Sequence, residues 1–399
     1  MTLQTNSTFA PLRCSDGIIA LAEQAGRPDS PVHRALGEQL ADGAALADAA
    51  VNRMIAQFAN GWTRAAVLGA VTVARRCGAS AAVPHVAVIA PANVPAAGWQ
   101  AVLEPLLAGC EVVVRPSRRE PQGIHNLLRA LEIIDPWLAS RCHIGGPTTH
   151  ADADWQAWLA GAGTLTAQGS GAAMQAVQAQ VAKAGWTGTL RLHGEMHSIA
   201  VIDASRWRAR GAEIARLLAN DALEVDGRGC MSLRTLLWLG LNASELPAAH
   251  RLLAHALQRA AKRWPPGASA ASAAPQQHYA LQTLETLRDL GAQLHLDKRA
   301  DGWLASASAP HLLQTVWPGP GARALVAVSL ADSSSLESIL APWRGQVSTV
   351  ATTLRGKDQQ ALIDLLGNPR TCRPGQMQAP RPDQVHDGWA PLQGFYTVD

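Results

Sequence analysis

Residues 85–121, HVAVIAPANVPAAGWQAVLEPLLAGCEVVVRPSRREP, decide the fold of this 399-residue chain. The run 85–90 is short, apolar, partly β-branched and bounded by prolines, which is typical of a buried strand. Residues 94–109 carry apolar side chains at helical spacing up to a glycine, and 111–115 is another apolar run. Strand, helix and strand in this order predict two parallel strands joined by a crossover helix.

The same alternation continues along the chain, after a segment (16–77) whose apolar spacing is helical throughout. Residues 265–275 are low in complexity and predict a loop, and the Pro- and Gly-rich stretch after 367 predicts irregular structure. Alternating strands and helices predict an α/β protein whose parallel sheets are covered by helices. Further helices are predicted at 123–135, 152–163, 172–184, 207–224, 244–264, 279–291, 335–343 and 358–367, and strands at 141–146, 164–168, 189–192, 234–241, 294–296, 324–331 and 347–354.

The composition excludes several classes of protein. Hydrophobic residues make up 48% of the chain, charged residues 16%, and the formal net charge is +3. This hydrophobic content is too high for a disordered chain, and the charge is too small and too mixed for a protein that binds nucleic acid. We expect no membrane span and no secretory signal, and scattered cysteines without a CxxC pair favour a cytoplasmic location.

The carboxyl ends of parallel strands meet at one edge of a sheet, where such folds bind ligands. The loops 91–93, 115–120 and 168–171 should therefore lie on one rim. Asn93, in the first loop, offers an amide that could donate to a developing oxyanion, although a turn or helix-cap asparagine is the common alternative.

Arginines and glycines in the other two loops suit an anion. Arg115, Arg118 and Arg119 follow a strand and offer charge-assisted bonds to phosphate, with a solvated surface cluster as the alternative. Gly169-Ser170-Gly171 opens a helix whose N–H groups favour anions, but it is not the full GxGxxG pattern and fits a helix cap equally well.

Cys230 lies between a helix and a strand in the glycine-rich segment DGRGCMS, 226–232. Glycines let the backbone approach a ligand and leave a thiol accessible. A nucleophilic cysteine also needs a lowered pKa, which Arg228 or nearby backbone amides could supply. The alternative is a small buried apolar residue, which is how we interpret the other cysteines.

The sequence His193-Gly194-Glu195-Met196-His197 raises the question of a metal site, because alternate residues of a strand share a face. It is not an HExxH motif, and no Cys/His cluster elsewhere complements it. We therefore expect no metal.

Four segments occur in an order that resembles the aldehyde dehydrogenase superfamily. The resemblance is greatest to its acyl-CoA reductase branch, the fatty-acid reductase component of bacterial luciferase systems. These segments are residues 85–121, TLTAQGSGAAM (164–174), GRGCMSLRTLLW (227–238) and RTCRPGQMQAPRPDQVHDGWAPLQGF (370–395), the last similar to the branch's Pro-x-Gln…His-Asp-Gly pattern.

The resemblance implies an aldehyde-dehydrogenase-like α/β fold. N-terminal helices and a doubly wound dinucleotide-binding domain would span 1–203, and a second α/β domain, the catalytic one, 204–370. Residues 371–399 would pack back on the cofactor domain. By the same resemblance Cys230 is the nucleophile, Asn93 the oxyanion donor beside the Cys230 N–H, and the cofactor-binding residues are Arg115, Ser117, Arg118, Gly169 and Ser170.

Two departures from the superfamily pattern bear on the chemistry. Hydrolytic members carry a glutamate that activates water where this chain has His193, with Glu195 two residues on, and either side chain could act as acid or base. Members that prefer NAD often carry an acid where this chain has Arg118. An arginine suits a 2′-phosphate, so we expect NADPH.

The resemblance implies reduction of an acyl thioester, on CoA or an acyl-carrier protein, to an aldehyde. A hydrolytic aldehyde dehydrogenase, an acyl-phosphate reductase and a non-catalytic scaffold stay open as alternatives. The chain is short for the superfamily and shows no hairpin signal between 110 and 150. A homo-oligomer and a partner enzyme that handles the aldehyde or the acid are therefore left open.

Overall fold

The computed structural model describes residues 10–40, 46–149, 151–267, 270–297, 302–307, 311–316, 319 and 321–398. Its helices are α1 (Ala10–Ala25), α2 (Pro31–Gly37), α3 (Asp48–Gly61), α4 (Arg64–Arg76), α5 (Pro95–Ala108), α6 (Gln122–Ile134), α7 (Pro136–Ala139), α8 (Asp152–Leu159), α9 (Gly171–Lys183), α10 (Ala204–Leu223), α11 (Leu246–Arg263), α12 (Ala270–Asp289), α13 (His311–Val316), α14 (Ser333–Leu340) and α15 (Gly356–Leu366), with short 3-10 turns at Glu224–Gly227 and Ala341–Trp343.

The strands are short and mostly buried. They are β1 (Ala79–Ala82), β2 (His85–Ile89), β3 (Glu111–Arg115), β4 (Cys142–Ile144), β5 (Ala162–Gln168), β6 (Thr189–His193), β7 (His197–Asp203), β8 (Leu233–Leu239), β9 (Gln293–Asp297), β10 (Gly302–Ala307), β11 (Ala324–Leu330), β12 (Val347–Thr352), β13 (Arg370–Cys372) and β14 (Tyr396–Val398). None of the described helices is long and apolar enough to cross a membrane.

The first large sheet has five parallel strands in the order β4-β3-β2-β5-β6. The chain starts at the central strand β2, builds outward to β4, and then returns to add β5 and β6 on the other side. The sheet is therefore doubly wound, as predicted. Since the strands are parallel, the three loops that follow β2, β3 and β5 lie on one rim.

The second large sheet has seven strands in the order β13-β12-β7-β8-β11-β10-β9. Its pairs are parallel except for β9, which runs antiparallel to β10. Strand β7 pairs with β8 and β12 although it lies before the predicted domain boundary at 203/204. A division of the chain between β6 and β7 fits the two sheets better.

Several elements differ from the sequence-based expectation. Strands β1, β7, β10, β13 and β14 and helices α7 and α13 were not predicted. The predicted loop 265–275 is helical from Ala270 onward, which agrees with the strong helix propensity of its alanines. Residues 268–269 of that stretch lie outside the described part of the chain.

The C-terminal segment joins the two large sheets. Met377 is buried in the core beside the seven-stranded sheet, whereas Leu392 and Phe395 are buried in the core beside the five-stranded sheet. Strand β14 then pairs antiparallel with β1. The segment is largely irregular, as its prolines and glycines predict.

Candidate active site

The carboxyl edge of the five-stranded sheet faces the amino edge of the seven-stranded sheet. Asn93 follows β2 and His193 ends β6, whereas Cys230 lies before β8 and Ser348 near the start of β12. The Asn93 side-chain amide bridges the two edges by donating to the Arg228 carbonyl over 3.2 Å. The fold thus brings the predicted oxyanion donor to the loop that carries the predicted nucleophile.

A strained turn leads into Cys230. Val225, Asp226 and Gly227 have φ values of 50°, 58° and 63°, in the left-handed region that side chains disfavour. A Cβ on Gly227 would lie 2.9 Å from the Arg323 backbone nitrogen, so the position requires glycine. Such strain persists only where the surroundings enforce it.

A buried ion pair provides that enforcement. The Asp226 carboxylate accepts from the Arg323 guanidinium at 2.9 Å, and Arg323 also donates to the Trp264 carbonyl at 2.7 Å. Both charged side chains are almost fully buried. The turn before Cys230 is therefore held by the interior of its own domain.

The expectation of a lowered Cys230 pKa is wrong. Burial, followed by the Asp387 charge, raises the pKa of the thiol to about 12, against the smaller opposing effects of Ser348, Arg234 and Arg370. Arg228, predicted to lower it, lies 3.2 Å from Asp226 and has its charge balanced there. A thiol in this setting needs a base before it can attack.

The other cysteines show that a raised pKa does not single out Cys230. Burial raises the pKa of Cys110, Cys142 and Cys372 to about 12 as well. Cys230 differs in its neighbours: Ser348 acts to lower the pKa of its thiol, and the Ser198 hydroxyl donates to its carbonyl at 2.7 Å.

Asn93 is exposed, and its contacts fit both interpretations of this residue, the turn asparagine and the oxyanion donor. Its Oδ1 accepts from the Val94 N–H at 3.0 Å, which is a local turn contact. Its Nδ2 uses one hydrogen on Arg228, and an amide nitrogen carries two. The second hydrogen leaves the amide able to bind an oxyanion beside the cysteine loop.

The loop after β3 carries the predicted phosphate arginines. Burial and the neighbouring Arg118 lower the pKa of Arg115. Gly146 packs against Arg115, since a Cβ there would lie 2.8 Å from the arginine Cβ. Exposed Arg118 donates to the Thr148 carbonyl at 3.0 Å, and the Ser117 hydroxyl accepts from the Arg119 N–H.

The glycine-serine segment after β5 forms a helix cap. The Ser170 hydroxyl accepts from the Ala173 N–H at 3.3 Å at the start of α9, and the Gly169 N–H donates to the His193 carbonyl. Open space surrounds the position that a Cβ on Gly171 would occupy. A ligand can therefore approach this helix start closely.

His193 is buried, whereas Glu195 is exposed. The His193 Nδ1 lies 3.0 Å from the Asp387 Oδ2. The Glu195 charge acts on Arg234, whose guanidinium contacts His197 Nδ1 at 3.3 Å. Burial, followed by Arg234, lowers the pKa of His197 to about 4.

Asp387, Ser348 and His386 were not predicted as site residues. Ser348 donates to Asp387 Oδ1 at 2.6 Å, and the His386 ring stacks on His193 with centroids 4.6 Å apart. Burial works to raise the pKa of Asp387, but His386, His193 and Ser348 outweigh it and hold this pKa well below its usual range. The His-Asp-Gly pattern could have pointed to His386 and Asp387, but the sequence analysis assigned no role to its residues.

His193, His386 and Asp387 have ligand-type atoms within 4.8 Å of one another. The two rings stack at 28°; His193 forms a hydrogen bond with the Asp387 carboxylate, and His386 Nε2 lies 3.5 Å from the same oxygen. His197 turns instead to Arg234. Within the described residues, the side chains of His193 and His197 thus contact different partners. We interpret the cluster of His193, His386 and Asp387 as a hydrogen-bond network.

Comparisons with known proteins bear on the fold and the family. The fold is similar to an NAD-dependent benzaldehyde dehydrogenase from Corynebacterium glutamicum (TM-score 0.67, 16% identity, 98% of this chain and 85% of that one). It is also similar to a methylmalonate-semialdehyde dehydrogenase from Oceanimonas doudoroffii (TM-score 0.67, 13% identity, 98% of this chain and 85% of that one). A third similar structure is an indole-3-acetaldehyde dehydrogenase in complex with NAD+ (TM-score 0.66, 14% identity, 98% of this chain and 83% of that one). No functionally curated protein matches the chain significantly.

These structural neighbours show an aldehyde dehydrogenase fold, as the sequence predicted. A sequence model of the acyl-CoA reductase (LuxC) family matches residues 74–398, which include Asn93, Cys230 and the His-Asp-Gly pattern. The chain, an oxidoreductase by this match, belongs to the acyl-CoA reductase (LuxC) family.

Proposed function

We propose that this chain reduces an acyl thioester to an aldehyde with NADPH, through an acyl-enzyme on Cys230. The observation that carries the proposal is the contact between Asn93 and the cysteine loop, in a chain of the acyl-CoA reductase family. An amide donor beside the loop that carries the thiol, at the junction of two sheets, supports the proposed chemistry.

In the proposed reaction the Cys230 sulfur attacks the thioester carbonyl. The Asn93 amide and the Cys230 N–H donate to the tetrahedral oxyanion, and the departing thiol leaves an acyl-enzyme. Preorganised donors of this kind stabilise charge where it develops, at no cost of reorganisation. After reduction the tetrahedral adduct collapses, releasing the aldehyde and restoring the cysteine.

The rim of the five-stranded sheet fits a dinucleotide phosphate. The start of α9 is open to close approach at Gly171, with Gly169 and Ser170 beside it, which suits a pyrophosphate. Arg115, Ser117 and Arg118 offer charge and hydrogen bonds to an adenosine ribose and its 2′-phosphate. NADPH bound there would supply the hydride.

The cofactor class has support from a neighbour of the same fold. The indole-3-acetaldehyde dehydrogenase was solved with NAD+. The choice of NADPH for this chain depends on Arg118, which is exposed at the rim where a carboxylate would repel a 2′-phosphate.

A reductase must keep water from its acyl-enzyme. The glutamate of hydrolytic relatives is replaced by His193, which is buried and held by Asp387. The absence of that glutamate favours reduction over hydrolysis. Steady production of acid from an aldehyde without CoA would support the hydrolytic alternative instead, and phosphate dependence of the reverse reaction would support an acyl-phosphate reductase.

The test is an NADPH-oxidation screen over acyl-CoAs of graded chain length, with Cys230→Ala and Cys77→Ala compared. Cys77 is exposed and far from the site in sequence, so its loss should leave reduction intact. Cys230→Ala should abolish reduction and retain NADPH binding, and mass spectrometry without cofactor should find the acyl group on Cys230. Activity in Cys230→Ala would exclude the mechanism, and a wild-type chain with neither NADPH binding nor thiol reactivity would favour a scaffold.

A further inference from the structure

The Asp387 carboxylate lies at the convergence of three parts of the chain. Its Oδ1 accepts from Ser348 Oγ of β12 at 2.6 Å, and its Oδ2 lies 3.0 Å from His193 Nδ1 at the end of β6. His386 Nε2, from its own segment, is 3.5 Å from the same Oδ2. Both oxygens are therefore committed to side chains from elsewhere in the fold.

The backbone is distorted to place this carboxylate. Asp387 has a φ of 49°, in the left-handed region, and Gly388 follows at 84°. The Asp387 side chain is only 4% exposed, and its contacts enforce the conformation. Strain that the surroundings maintain in this way is commonly found at functional sites.

We propose that Asp387, carried by the C-terminal segment, is a positioning residue that makes His193 the base of the Cys230 reaction and orients the Ser348 hydroxyl at the thiol. The inference rests on the proposed acyl-enzyme function. A carboxylate beside Nδ1 keeps a proton on that nitrogen, so that Nε2 is the basic one. Within the part of the chain that the structure describes, Nδ1 is the His193 nitrogen that forms a hydrogen bond.

The proton balance of the step is complete. As the Cys230 sulfur bonds to the thioester carbon, its S–H bond breaks and the proton moves to His193 Nε2. When the carbon–sulfur bond to the departing thiol breaks, the same proton moves from His193 to that sulfur. Asp387 stays ionised throughout and stabilises the imidazolium, and no oxidant or reductant takes part.

Charged and titratable groups from neighbouring elements surround this network. His386 contacts Gln100 Nε2 of α5 at 3.3 Å, and Glu104 of the same helix lies 3.4 Å from Arg191 of β6. On the thiol side, the charges of Arg234 and Arg370 act on Cys230. Asp387 therefore faces the histidine pair. Through Ser348 of β12 it also lies near the cysteine loop, because β12 pairs with β7 at Ser198, whose hydroxyl donates to the Cys230 carbonyl.

Removal of the Asp387 charge should change the alkylation rate of Cys230 in opposite directions, depending on whether Asp387 is only a nearby charge or positions the base. If Asp387 is only a negative charge beside the thiol, Asp387→Asn makes thiolate formation easier, and alkylation of Cys230 by iodoacetamide becomes faster. If Asp387 positions the base, the variant loses the imidazolium's partner. Alkylation then slows, kcat/KM for an acyl-CoA falls about a hundredfold, and the acid limb of the pH profile moves to lower pH.

Three further variants separate this role from a general effect on folding. His193→Gln should lose as much activity as Asp387→Asn, and the double variant no more than either, because the pair acts as a unit. Ser348→Ala should slow alkylation and Ser348→Thr should restore it. Ser198→Ala removes a hydroxyl from the Cys230 carbonyl and should leave the pH profile in place.

The outcomes distinguish the two proposals. Full activity in Cys230→Ala would exclude the acyl-enzyme mechanism and this inference with it. If Cys230 is essential but Asp387→Asn alkylates faster, or the losses in the double variant add, the assignment of Asp387 is wrong and the acyl-enzyme stands. Thermal unfolding of each variant identifies those that fail to fold. If the Asp387 or His193 variants do not fold, the comparison of Ser348→Ala with Ser348→Thr tests the proposal instead.

Discussion

At the scale of single residues, chemistry in this chain depends on neighbours that the sequence separates widely. Cys230 and Asn93 could be singled out because glycines and a strand end flank them. Asp387 was not, because it lies 194 positions from its partner His193, and the His-Asp-Gly pattern around it does not link the two. The raised pKa of Cys230 was equally hidden, since it results from burial that only the folded chain creates.

Replacement of Asn93 tests the oxyanion assignment. One donor to an oxyanion is typically worth ~3 kcal/mol, so Asn93→Ala should lower kcat for acyl-CoA reduction about a hundredfold or more. NADPH affinity should stay unchanged, because the proposed cofactor residues lie in other loops. A loss confined to KM would show that Asn93 binds substrate without stabilising the transition state.

Replacement of Arg118 tests the cofactor preference. Arg118→Glu places a carboxylate where a 2′-phosphate would bind, so the ratio of kcat/KM for NADPH over NADH should fall by at least tenfold. Arg119→Glu, at the adjacent exposed position, is the matched control for a reversed charge. An equal effect of both variants would mean that overall charge sets the preference.

At the scale of elements, hydrophobic periodicity predicted the crossover units well and the short connections poorly. Strands β2, β3 and β5 lie where apolar runs stand alone between clear breaks. Strand β7 was hidden because it follows β6 after only three residues, with no intervening helix to mark a new unit. In the turn before Cys230, only Gly227 is a residue type that indicates a positive φ. Val225 and Asp226 also have positive φ values, although neither residue type predicts them.

The buried pair of Asp226 and Arg323 makes the turn before Cys230 testable. Arg323→Met would leave a buried carboxylate without its partner and should lower the free energy of unfolding by roughly 3–5 kcal/mol. Urea unfolding measures the change. Arg208→Met, which removes a solvent-exposed partner of Glu245, is the control and should have little effect.

At the scale of the whole molecule, the C-terminal segment connects both cores to the candidate active site. Backbone N–H groups of Gly375 and Met377 donate to the buried Asp221 at 2.6 and 3.2 Å. Further along, Phe395 is buried in the other core, with the Arg191 guanidinium 4.3 Å above its ring. His386 and Asp387 lie between these two attachments, which fix them against β6 and β12.

Loosening one attachment should therefore affect catalysis at a distance. Phe395→Ala should cost roughly 3–5 kcal/mol of stability, as large-to-small changes at buried aromatics do. It should also lower activity more than it lowers NADPH binding, because it frees the segment that carries Asp387. Tyr279→Ala, at a residue 62% exposed, should change neither. Loss of stability with activity fully retained would argue against this coupling.

The pairing of β1 with β14 also has a consequence for the order of folding. Ser80 and Thr397, which bond across this pair, are 317 positions apart, and closing so long a loop costs entropy before any contact repays it. Contacts of such separation form slowly. During refolding from denaturant, helical circular dichroism should recover first and catalytic turnover last. In this chain the rate at which enzymatic activity returns would therefore measure the last folding step, the pairing of β1 with β14.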